Sequence, residues 1–488
     1  MPLTPDHFEE NPWWSDPSAI ATDYHLQKLD DQPLVYEHDL PFELDVDGVY
    51  TLRGPRQVGK TTLLKTLVRE LLEERDVHPR CILYADVGAT AIEEEAELQA
   101  FVGAFLEDAE EREVFGRTYV LLDEVTGITD WGAVIRALSD RGKLRETTVI
   151  ATGSHALDVK RGGERAPGRR GSIEEPNWIL MPLGFRDYVE VHAPDIVDRL
   201  DEWSGLTPEV LATEAVEYHA YADRLDNLFD RYLRTGGYPY AMSREHEAGR
   251  ITRDAYRQYR EAINGEVSRG DLRESYFREL VSWAGHKRLG REFSWRDASG
   301  ETKIGSKDTA RKYLEAAEQL FVWHIYFRVV QPDDPREALK SPKKLYPADP
   351  FAWHALSAWA TGQRDPWQAT VDTLSDPEVM GELVESVVAD HFRLHFGHFS
   401  FYYRESGGGR EIDFICFEEP DDRVLAEVKY RNTIDKKRDA GALAEEGGGL
   451  LLTKKTFEWD AERNVLALPV HYFLAGLPWR LTLYPSRE

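Results

Sequence analysis

The sequence has little cysteine and no long apolar segment. Its two cysteines, Cys81 and Cys416, lie in the strand-like runs CILYADV and IDFICF. Two isolated cysteines exclude a disulfide-stapled miniprotein and are typical of buried thiols in a reducing cytosol. No apolar run approaches the ~20 residues of a membrane-spanning helix, and the acidic N-terminus lacks the pattern of a secretory signal. We therefore expect a cytoplasmic protein without a membrane partner.

Lysine is also scarce, and acidic residues outnumber basic ones along the whole chain. Lysine and arginine total 60, of which 17 are lysine, against 88 aspartates and glutamates, so the formal net charge is -28. A diffuse acidic, lysine-poor surface suits a salt-rich cytosol that screens charge repulsion; an ordinary acidic protein is the alternative. Because such a surface disfavours nonspecific nucleic-acid binding, any nucleic-acid site must be a local basic patch.

The order of predicted elements divides the 488 residues into five parts. A proline- and acid-rich segment (1–45) precedes alternating strands and helices (46–183), which predict a mostly parallel, helix-covered sheet. A helical lid (184–245) follows. Next comes a winged-helix-like region (246–340), in which a short helix, a glycine turn and a serine-initiated helix precede a strand. Residues 341–488 read as an α/β module.

The segment from Gly54 to Thr61 fits the phosphate-loop pattern G-x-x-x-x-G-K-[ST], between a predicted strand and a predicted helix. Glycines let backbone N–H groups curl around a phosphate, and the helix N-terminus directs its positive end at the same anion. Lys60 then reaches the β- and γ-phosphates of ATP, and the Thr61 hydroxyl ligates Mg²⁺. The predicted nucleotide-binding residues are Gly54, Pro55, Arg56, Gln57, Val58, Gly59, Lys60, Thr61, Thr62 and Asp123.

A second motif follows at the end of the hydrophobic strand TYVLLDEV. Asp123 is placed to hold Mg²⁺, as in a Walker B motif. The adjacent Glu124 is placed to polarise the attacking water as a general base. This acidic pair favours ATP hydrolysis over a kinase or a GTPase, and the base-reading motif N-K-x-D is missing. The alternative is an acidic strand end at a surface loop.

The strand TTVIATGS supplies candidates for a contact with the γ-phosphate or its water. Ser154 is our first choice for this sensor-1 role and Thr152 the second, while an ordinary Thr-Gly-Ser turn is the alternative. The basic loop of residues 161–171 follows. One of its arginines is a candidate arginine finger, an element worth ~10³–10⁵ in rate; a solvated basic loop is the alternative.

Several of these segments together resemble a known family. RGPRQVGKTTLL, LLDEV, TGSH, MPLGFRDY and YLRTGGYP are similar to the archaeal and bacterial AAA+ ATPases called AAA-14, fused to the DUF4143 domain, and NPWW resembles the archaeal members. The resemblance covers nearly the whole chain and implies ATP binding. It also implies that Gly168-Arg169 matches the Gly-Arg after sensor 1, which makes Arg169 the finger. His155 departs from the family, where a second serine is usual.

The C-terminal module carries the spacing D-x13-E-x-K at Asp413, Glu427 and Lys429, which resembles the PD-(D/E)xK nuclease core. Glu427 and Lys429 alternate along one predicted strand, so both point to one face. Asp413 and Glu427 are candidate Mg²⁺ ligands, and Lys429 would orient the hydroxide or stabilise the phosphorane charge. Glu385 is the upstream carboxylate, with Glu382 next. The module is either a nuclease or a reused binding domain.

A basic helix in the winged-helix-like region is the candidate DNA contact. Lys307, Arg311 and Lys312 form a patch suited to phosphates. A solvated face balanced by Asp308 and Glu315 is the alternative. The tryptophans of NPWW are expected to pack between structural parts rather than against adenine.

The sequence therefore predicts an α/β protein with a P-loop AAA+ parallel sheet, a helical lid, a winged helix and a restriction-endonuclease-like C-terminal domain. We predict that it hydrolyses ATP with Mg²⁺ and that its nucleotide state gates a C-terminal DNA-binding or Mg²⁺-dependent nuclease-like module. The alternative is a slow nucleotide-gated switch or scaffold with an inactive nuclease-like domain. DNA, a second copy of the chain or a protein partner are the other expected partners.

Overall fold

The chain forms two compact units, residues 1–181 with 483–486, and residues 182–482 with 487–488. The computed structural model describes residues 9–36, 38, 42–89, 92, 94–111, 116–128, 130–153, 176–270, 272–405, 407, 409–419, 422–477 and 483–485. Each unit contains a six-stranded sheet and helices. The predicted α/β class is confirmed, and the finer division into five parts stays a prediction.

The first unit is built on a six-stranded sheet. The strands are β1 (Gly48–Arg53), β2 (Ile82–Asp86), β3 (Thr118–Asp123), β4 (Thr147–Gly153), β5 (Asn177–Leu180) and β16 (Leu483–Pro485). Their order in the sheet is β16-β5-β1-β4-β3-β2. The five N-terminal strands are parallel, as predicted, and β16 joins β5 in the antiparallel sense. The helices are α1 (Tyr24–Asp30), α2 (Lys60–Glu73), α3 (Glu95–Glu111) and α4 (Trp131–Asp140).

The central strands of this sheet are buried along their whole length. Every residue of β1 and β4 is buried, as expected for parallel strands covered on both faces. The indole N–H groups of Trp13 and Trp14 both donate to the carbonyl of Ile82, at 3.2 and 2.7 Å. The tryptophan pair therefore packs inside the first unit, against β2.

The second unit begins with helices and ends with a mixed sheet. Its helices are α5 (Phe185–His192), α6 (Pro194–Val197), α7 (Pro208–Glu214), α8 (Ala222–Thr235), α9 (Pro239–Ala248), α10 (Arg253–Arg269), α11 (Glu274–Lys287), α12 (Trp295–Gly300), α13 (Lys307–Gln319), α14 (Pro350–Thr361), α15 (Pro366–Leu374), α16 (Pro377–Phe396), α17 (Lys436–Asp439), α18 (Gly441–Glu445) and α19 (Val470–Gly476). None of the described helices in either unit is long and apolar enough to cross a bilayer.

The strands of the second unit form one six-stranded sheet and two short pairs. They are β6 (Trp323–Phe327), β7 (Val329–Gln331), β8 (Asp334–Glu337), β9 (Lys343–Pro347), β10 (Ser400–Arg404), β11 (Glu411–Glu419), β12 (Asp422–Lys429), β13 (Gly449–Thr453), β14 (Glu458–Asp460) and β15 (Val465–Pro469). The large sheet has the order β10-β11-β12-β13-β15-β14, and β6 pairs with β9. Strands β10 to β12 are antiparallel, whereas β12, β13 and β15 are parallel.

A close backbone contact at Gly237 leads to a prediction on stability. A Cβ atom on Gly237 would lie 2.0 Å from the carbonyl oxygen of Leu183 and 2.5 Å from its nitrogen. We expect Gly237→Ala to lower the free energy of unfolding by about 1–3 kcal/mol, because backbone must move to admit the methyl group. Thermal denaturation followed by circular dichroism measures the effect.

Gly103 provides the control for this substitution. It lies within α3, and a Cβ atom added there meets no atom within 4 Å. Gly103→Ala should stabilise the chain by about 0.5–1 kcal/mol, because alanine favours the helix interior. Equal melting temperatures for the two variants would contradict the importance of the Gly237 contact.

Candidate functional site

The loop from Gly54 to Gly59 connects β1 to α2 and has glycine where geometry requires it. A Cβ atom on Gly54 would lie 2.1 Å from the carbonyl oxygen of Leu180 on β5. Gly59 has a φ of 113°, which disfavours a side chain, and it caps α2 without a side-chain hydrogen bond. Because Gly59 offers no capping side chain, the first N–H groups of α2 can bind an anion.

Side chains of the loop fix its position on the sheet. Val58 is buried in an apolar cluster with Leu52, Leu63 and Leu180. The buried Lys60 turns back into the loop, and its Nζ donates to the carbonyl oxygens of Gly54 and Pro55 at 2.9 and 2.8 Å. The lysine ammonium thus lies on the concave side of the loop, where phosphate oxygens can replace the two carbonyls as acceptors.

Asp123 ends β3, and its carboxylate accepts hydrogen bonds from three hydroxyl groups. Thr61 Oγ1 donates to Asp123 Oδ2 at 2.6 Å, and the phenol of Tyr84 donates to the same oxygen at 3.1 Å. Thr152 Oγ1 donates to the other carboxylate oxygen. Because β3 lies between β2 and β4, the parallel register places Tyr84 and Thr152 beside Asp123, whereas Thr61 reaches it from the start of α2.

Glu124 follows Asp123 with a left-handed backbone, at a φ of 52°. For a non-glycine residue this conformation costs roughly 1–2 kcal/mol and is frequent at functional sites. Its carboxylate lies 3.1 Å from Arg56 Nη1 and accepts from Thr126 Oγ1 at 2.6 Å. Its backbone N–H donates to Thr152 Oγ1 at 3.1 Å. These contacts hold the glutamate beside the phosphate loop.

Burial affects the titration of the groups around Asp123. Burial, together with the charge of Asp123, raises the pKa of Asp86. Burial also raises the pKa of the Tyr84 phenol, and the nearby carboxylates of Asp123 and Asp86 raise it further. The phenol therefore stays protonated and keeps donating to Asp123.

The predicted ATPase residues divide into two groups. The structure brings Lys60, Thr61, Asp123 and Glu124 to one edge of the first sheet. Ser154 and Arg169 lie outside the described residues, together with His155 and the rest of the basic loop. Sequence reasoning missed Tyr84, whose only signal is its place two residues before the end of β2.

The oxygen atoms at Thr61 and Asp123 fit a magnesium site of the nucleotide-dependent kind. Mg²⁺ prefers oxygen ligands and is commonly bound through one or two protein groups, with phosphates and water completing its shell. The 2.6 Å contact between the Thr61 hydroxyl and the Asp123 carboxylate shows that both reach one point. These two side chains can hold the cation beside a bound triphosphate.

The predicted nuclease residues also come together, in the second unit. Lys429 Nζ lies 3.2 Å from Asp413 Oδ2 and 2.6 Å from Glu427 Oε2. Lys344, which sequence reasoning missed, connects Asp413 to Glu385 at 3.4 and 3.5 Å. Glu382, the second choice for the upstream carboxylate, instead pairs with Arg291 at 2.8 Å.

The arrangement around Asp413 does not fit the predicted Mg²⁺ site. Within the described part of the chain, no three or more His, Cys, Asp or Glu side chains are placed to hold a metal ion. The ammonium groups of Lys344 and Lys429 form ion pairs with the carboxylate oxygens that would have to bind a divalent cation. The residues of this cluster therefore do not support a metal-dependent step.

The contact of Tyr84 with Asp123 leads to a prediction for the ATPase site. Tyr84→Phe removes one of the donors that orient the Asp123 carboxylate. We expect the Mg²⁺ concentration for half-maximal ATPase activity to rise about 10-fold, the usual scale for a group that supports a metal ligand. Turnover measured across a Mg²⁺ titration tests this expectation.

Tyr119 supplies the matched control. It is a buried tyrosine at the opposite end of β3 from Asp123. Tyr119→Phe should leave the Mg²⁺ dependence unchanged. A similar shift in both variants would show that the effect comes from the loss of a buried hydroxyl rather than from the contact with Asp123.

Comparison with family models matches three parts of the chain. Residues 46–189 match a model described as an AAA domain, AAA_14. Residues 380–473 match the domain of unknown function DUF4143. Residues 226–363 match another domain of unknown function, DUF8612, which the sequence analysis did not anticipate. No curated protein matches the chain.

Solved structures show only remote similarity. A RuvB variant of Thermotoga maritima is 15% identical, with 58% of this chain and 82% of that chain covered and a TM-score of 0.25. The ORC1 protein of Aeropyrum pernix in complex with DNA is 15% identical, with 76% and 95% covered and a TM-score of 0.29. The ADP form of its ORC2 protein is 13% identical, with 75% and 95% covered and a TM-score of 0.30.

The family matches agree with the site in the first unit. The AAA-domain match begins just before β1 and includes the phosphate loop, Asp123 and Glu124. The DUF4143 match includes Glu385, Asp413, Glu427 and Lys429. The chain therefore combines a region similar to the AAA domain with a region similar to DUF4143.

Proposed function

We propose that the first unit binds ATP with Mg²⁺ and hydrolyses it. The observation that carries this proposal is the 2.6 Å contact between Thr61 Oγ1 and Asp123 Oδ2. It joins the start of α2 to the end of β3 in the manner expected when both side chains serve one cation. Lys60 and Glu124, placed on the same edge, supply the phosphate contact and the base.

The proposed mechanism assigns one task to each side chain. The loop N–H groups and the N-terminus of α2 bind the phosphates, while Lys60 exchanges its carbonyl acceptors for phosphate oxygens. Thr61 and Asp123 would hold Mg²⁺, which when bound would supply positive charge beside the phosphates. Glu124 orients the attacking water and accepts its proton. The γ-phosphate leaves as inorganic phosphate, and ADP remains in the loop.

The contacts proposed for Ser154 and Arg169 are predictions that complete this mechanism. Ser154 would contact the γ-phosphate or its water, and Arg169 would stabilise the transition-state charge as an arginine finger. Both assignments come from the sequence alone, since neither residue is among those that the structure describes.

Nucleotide binding and phosphate release test the proposal directly. Calorimetry with ATP and ADP, with and without Mg²⁺, should be carried out in molar KCl because of the acidic surface. We expect ATP binding and Mg²⁺-dependent release of phosphate. The chain would not be an ATPase if no adenine nucleotide bound. Tight ADP retention with turnover near zero would favour the slow switch over a hydrolytic machine.

We further propose that helix α13 contacts nucleic-acid phosphates. Lys307, Arg311 and Lys312 are exposed on this helix, whose N-terminus is capped by Ser306. The short helix α12 and the strand β6 flank it, as in a helix-turn-helix arrangement. Glu315 pairs with Arg311 at 2.7 Å, so Lys307 and Lys312 are the stronger candidates for phosphate contacts.

The salt dependence of DNA binding tests the role of this helix. We expect the double substitution of Lys307 and Lys312 by alanine to weaken binding to a labelled duplex. The plot of log affinity against log salt concentration has a negative slope. Its magnitude should decrease by about 0.9 for each phosphate that the protein no longer neutralises. Alanine at Lys28 and Lys437, two exposed lysines elsewhere, is the matched control. Equal slopes for the two double variants would rule out α13 as the DNA-binding helix.

Gating of the C-terminal module by the nucleotide state is also part of the proposal. We expect DNA affinity to differ between the ATP-bound and the ADP-bound chain. By reciprocity, DNA should change the ratio of ATP affinity to ADP affinity by the same factor. Measurement of both affinities on one preparation tests this reciprocity. Equal DNA affinity in both nucleotide states would contradict gating.

A further inference from the structure

A buried lysine lies at the centre of the carboxylate cluster in the second unit. Lys344 belongs to β9, and its side chain is only 3% exposed. Its Nζ lies 3.1 Å from Glu411 Oε1, 3.4 Å from Asp413 Oδ1 and 3.5 Å from Glu385 Oε1. One ammonium group thus bridges three carboxylates that come from α16 and β11.

A second lysine adds positive charge to the cluster. Lys429 Nζ contacts Asp413 Oδ2 and Glu427 Oε2, and the N–H of Val428 donates to Asp413 Oδ2 at 3.1 Å. Both carboxylate oxygens of Asp413 are therefore engaged by cationic or N–H donors. The phenol of Tyr346 donates to Glu385 Oε1 at 2.6 Å, so the upstream carboxylate is also satisfied within the chain.

This arrangement is incompatible with a divalent cation at the same place. Mg²⁺ requires oxygen ligands at ~2.0–2.1 Å in near-octahedral geometry. The Lys344 ammonium lies between the oxygens of Glu385 and Asp413 that would have to converge on the ion, and it repels any second cation there. The position that a metal would take is filled by a side chain of the protein.

We propose that the ammonium group of Lys344 replaces the divalent cation in this nuclease-like cluster, so that the second unit binds no Mg²⁺ at Asp413. The cluster then acts as a buried cross-link among β9, α16, β11 and β12. This proposal does not depend on ATP hydrolysis in the first unit. It favours the binding-domain alternative over a Mg²⁺-dependent nuclease.

Counting bound Mn²⁺ by electron paramagnetic resonance tests the proposal on the full chain without nucleotide. Mn²⁺ substitutes for Mg²⁺ at oxygen sites. We expect the wild-type chain and Asp413→Asn to bind the same number of Mn²⁺ ions. The proposal is overturned if the wild type binds one more ion than Asp413→Asn, or if it cleaves DNA with a metal requirement that Asp413→Asn abolishes.

Substitution of the lysine provides the converse test. We expect Lys344→Met to gain one Mn²⁺ per chain, because it leaves the carboxylates without their central cation. The double variant Lys344→Met, Asp413→Asn should lose that ion again. A folded Lys344→Met chain that gains no ion would contradict the proposal that Lys344 replaces the cation. If this variant does not fold, the comparison of the wild type with Asp413→Asn still tests the proposal. ATP affinity measured on the same samples shows separately whether the first unit works as proposed.

Discussion

Lys60→Ala should abolish measurable ATP binding. In the structure the Lys60 ammonium donates to the carbonyl oxygens of Gly54 and Pro55, and ATP would supply two phosphate oxygens instead. Charge-assisted hydrogen bonds contribute about 1.5–3 kcal/mol each, so removing two of them weakens affinity about 10²- to 10⁴-fold. Isothermal titration calorimetry with ATP and ADP measures the change in affinity.

The fold should survive this substitution, which makes the result interpretable. The carbonyls of Gly54 and Pro55 can accept from water once the ammonium is gone. We expect a melting temperature within a few degrees of the wild type. Lys143→Ala is the control, since Lys143 is a partly exposed lysine of the same unit that pairs with Glu110. Retention of ATP affinity within threefold in Lys60→Ala would contradict the phosphate-loop assignment.

Glu124→Gln should bind ATP with nearly wild-type affinity but hydrolyse it 10²–10⁴-fold more slowly, the usual scale for removal of a general base. Glutamine keeps the shape of the side chain and an oxygen that can accept from Thr126 Oγ1. It cannot take a proton from water, and it cannot form the ion pair with Arg56. Single-turnover phosphate release and calorimetry, run on the same protein, separate the two effects.

Asp86 is the competing carboxylate, and its substitution makes the test specific. Asp86 ends β2 directly beside Asp123 in the parallel register. We expect Asp86→Asn to retain turnover within a few-fold of the wild type. If Asp86→Asn stopped hydrolysis while Glu124→Gln did not, the base would be Asp86 and the assignment of Glu124 would be wrong.

Local patterns were sufficient to predict which side chains meet at the carboxyl end of the first sheet. Lys60 and Thr61 follow a glycine-rich turn, and Asp123 and Glu124 end an apolar strand. Because parallel strands present their carboxyl ends at one edge, these motifs could be expected to meet. The role of Tyr84 was not predictable, since its contact depends on β2 lying next to β3 and on a phenol long enough to reach Asp123.

The cluster in the second unit shows the limit of motif reasoning. The spacing of Asp413, Glu427 and Lys429 brought these side chains together as expected. Lys344 lies 41 residues before Glu385 and 69 before Asp413, in a segment that reads as a linker and a strand. Only the fold brings it among the carboxylates, and its charge changes what they can bind. The motif therefore led to a metal expectation that the geometry does not support.

Strand β16 has a practical consequence for dissecting the chain. It lies near the C-terminal end of the sequence but pairs with β5 of the first unit, at the edge of the sheet. A fragment that stopped at residue 181 would leave β5 with unpaired N–H and C=O groups, which promote aggregation. A fragment of the first unit should therefore carry residues 483–485, joined to residue 181 through a short linker. The same segment, added as a synthetic peptide, offers a complementation assay for the completed sheet.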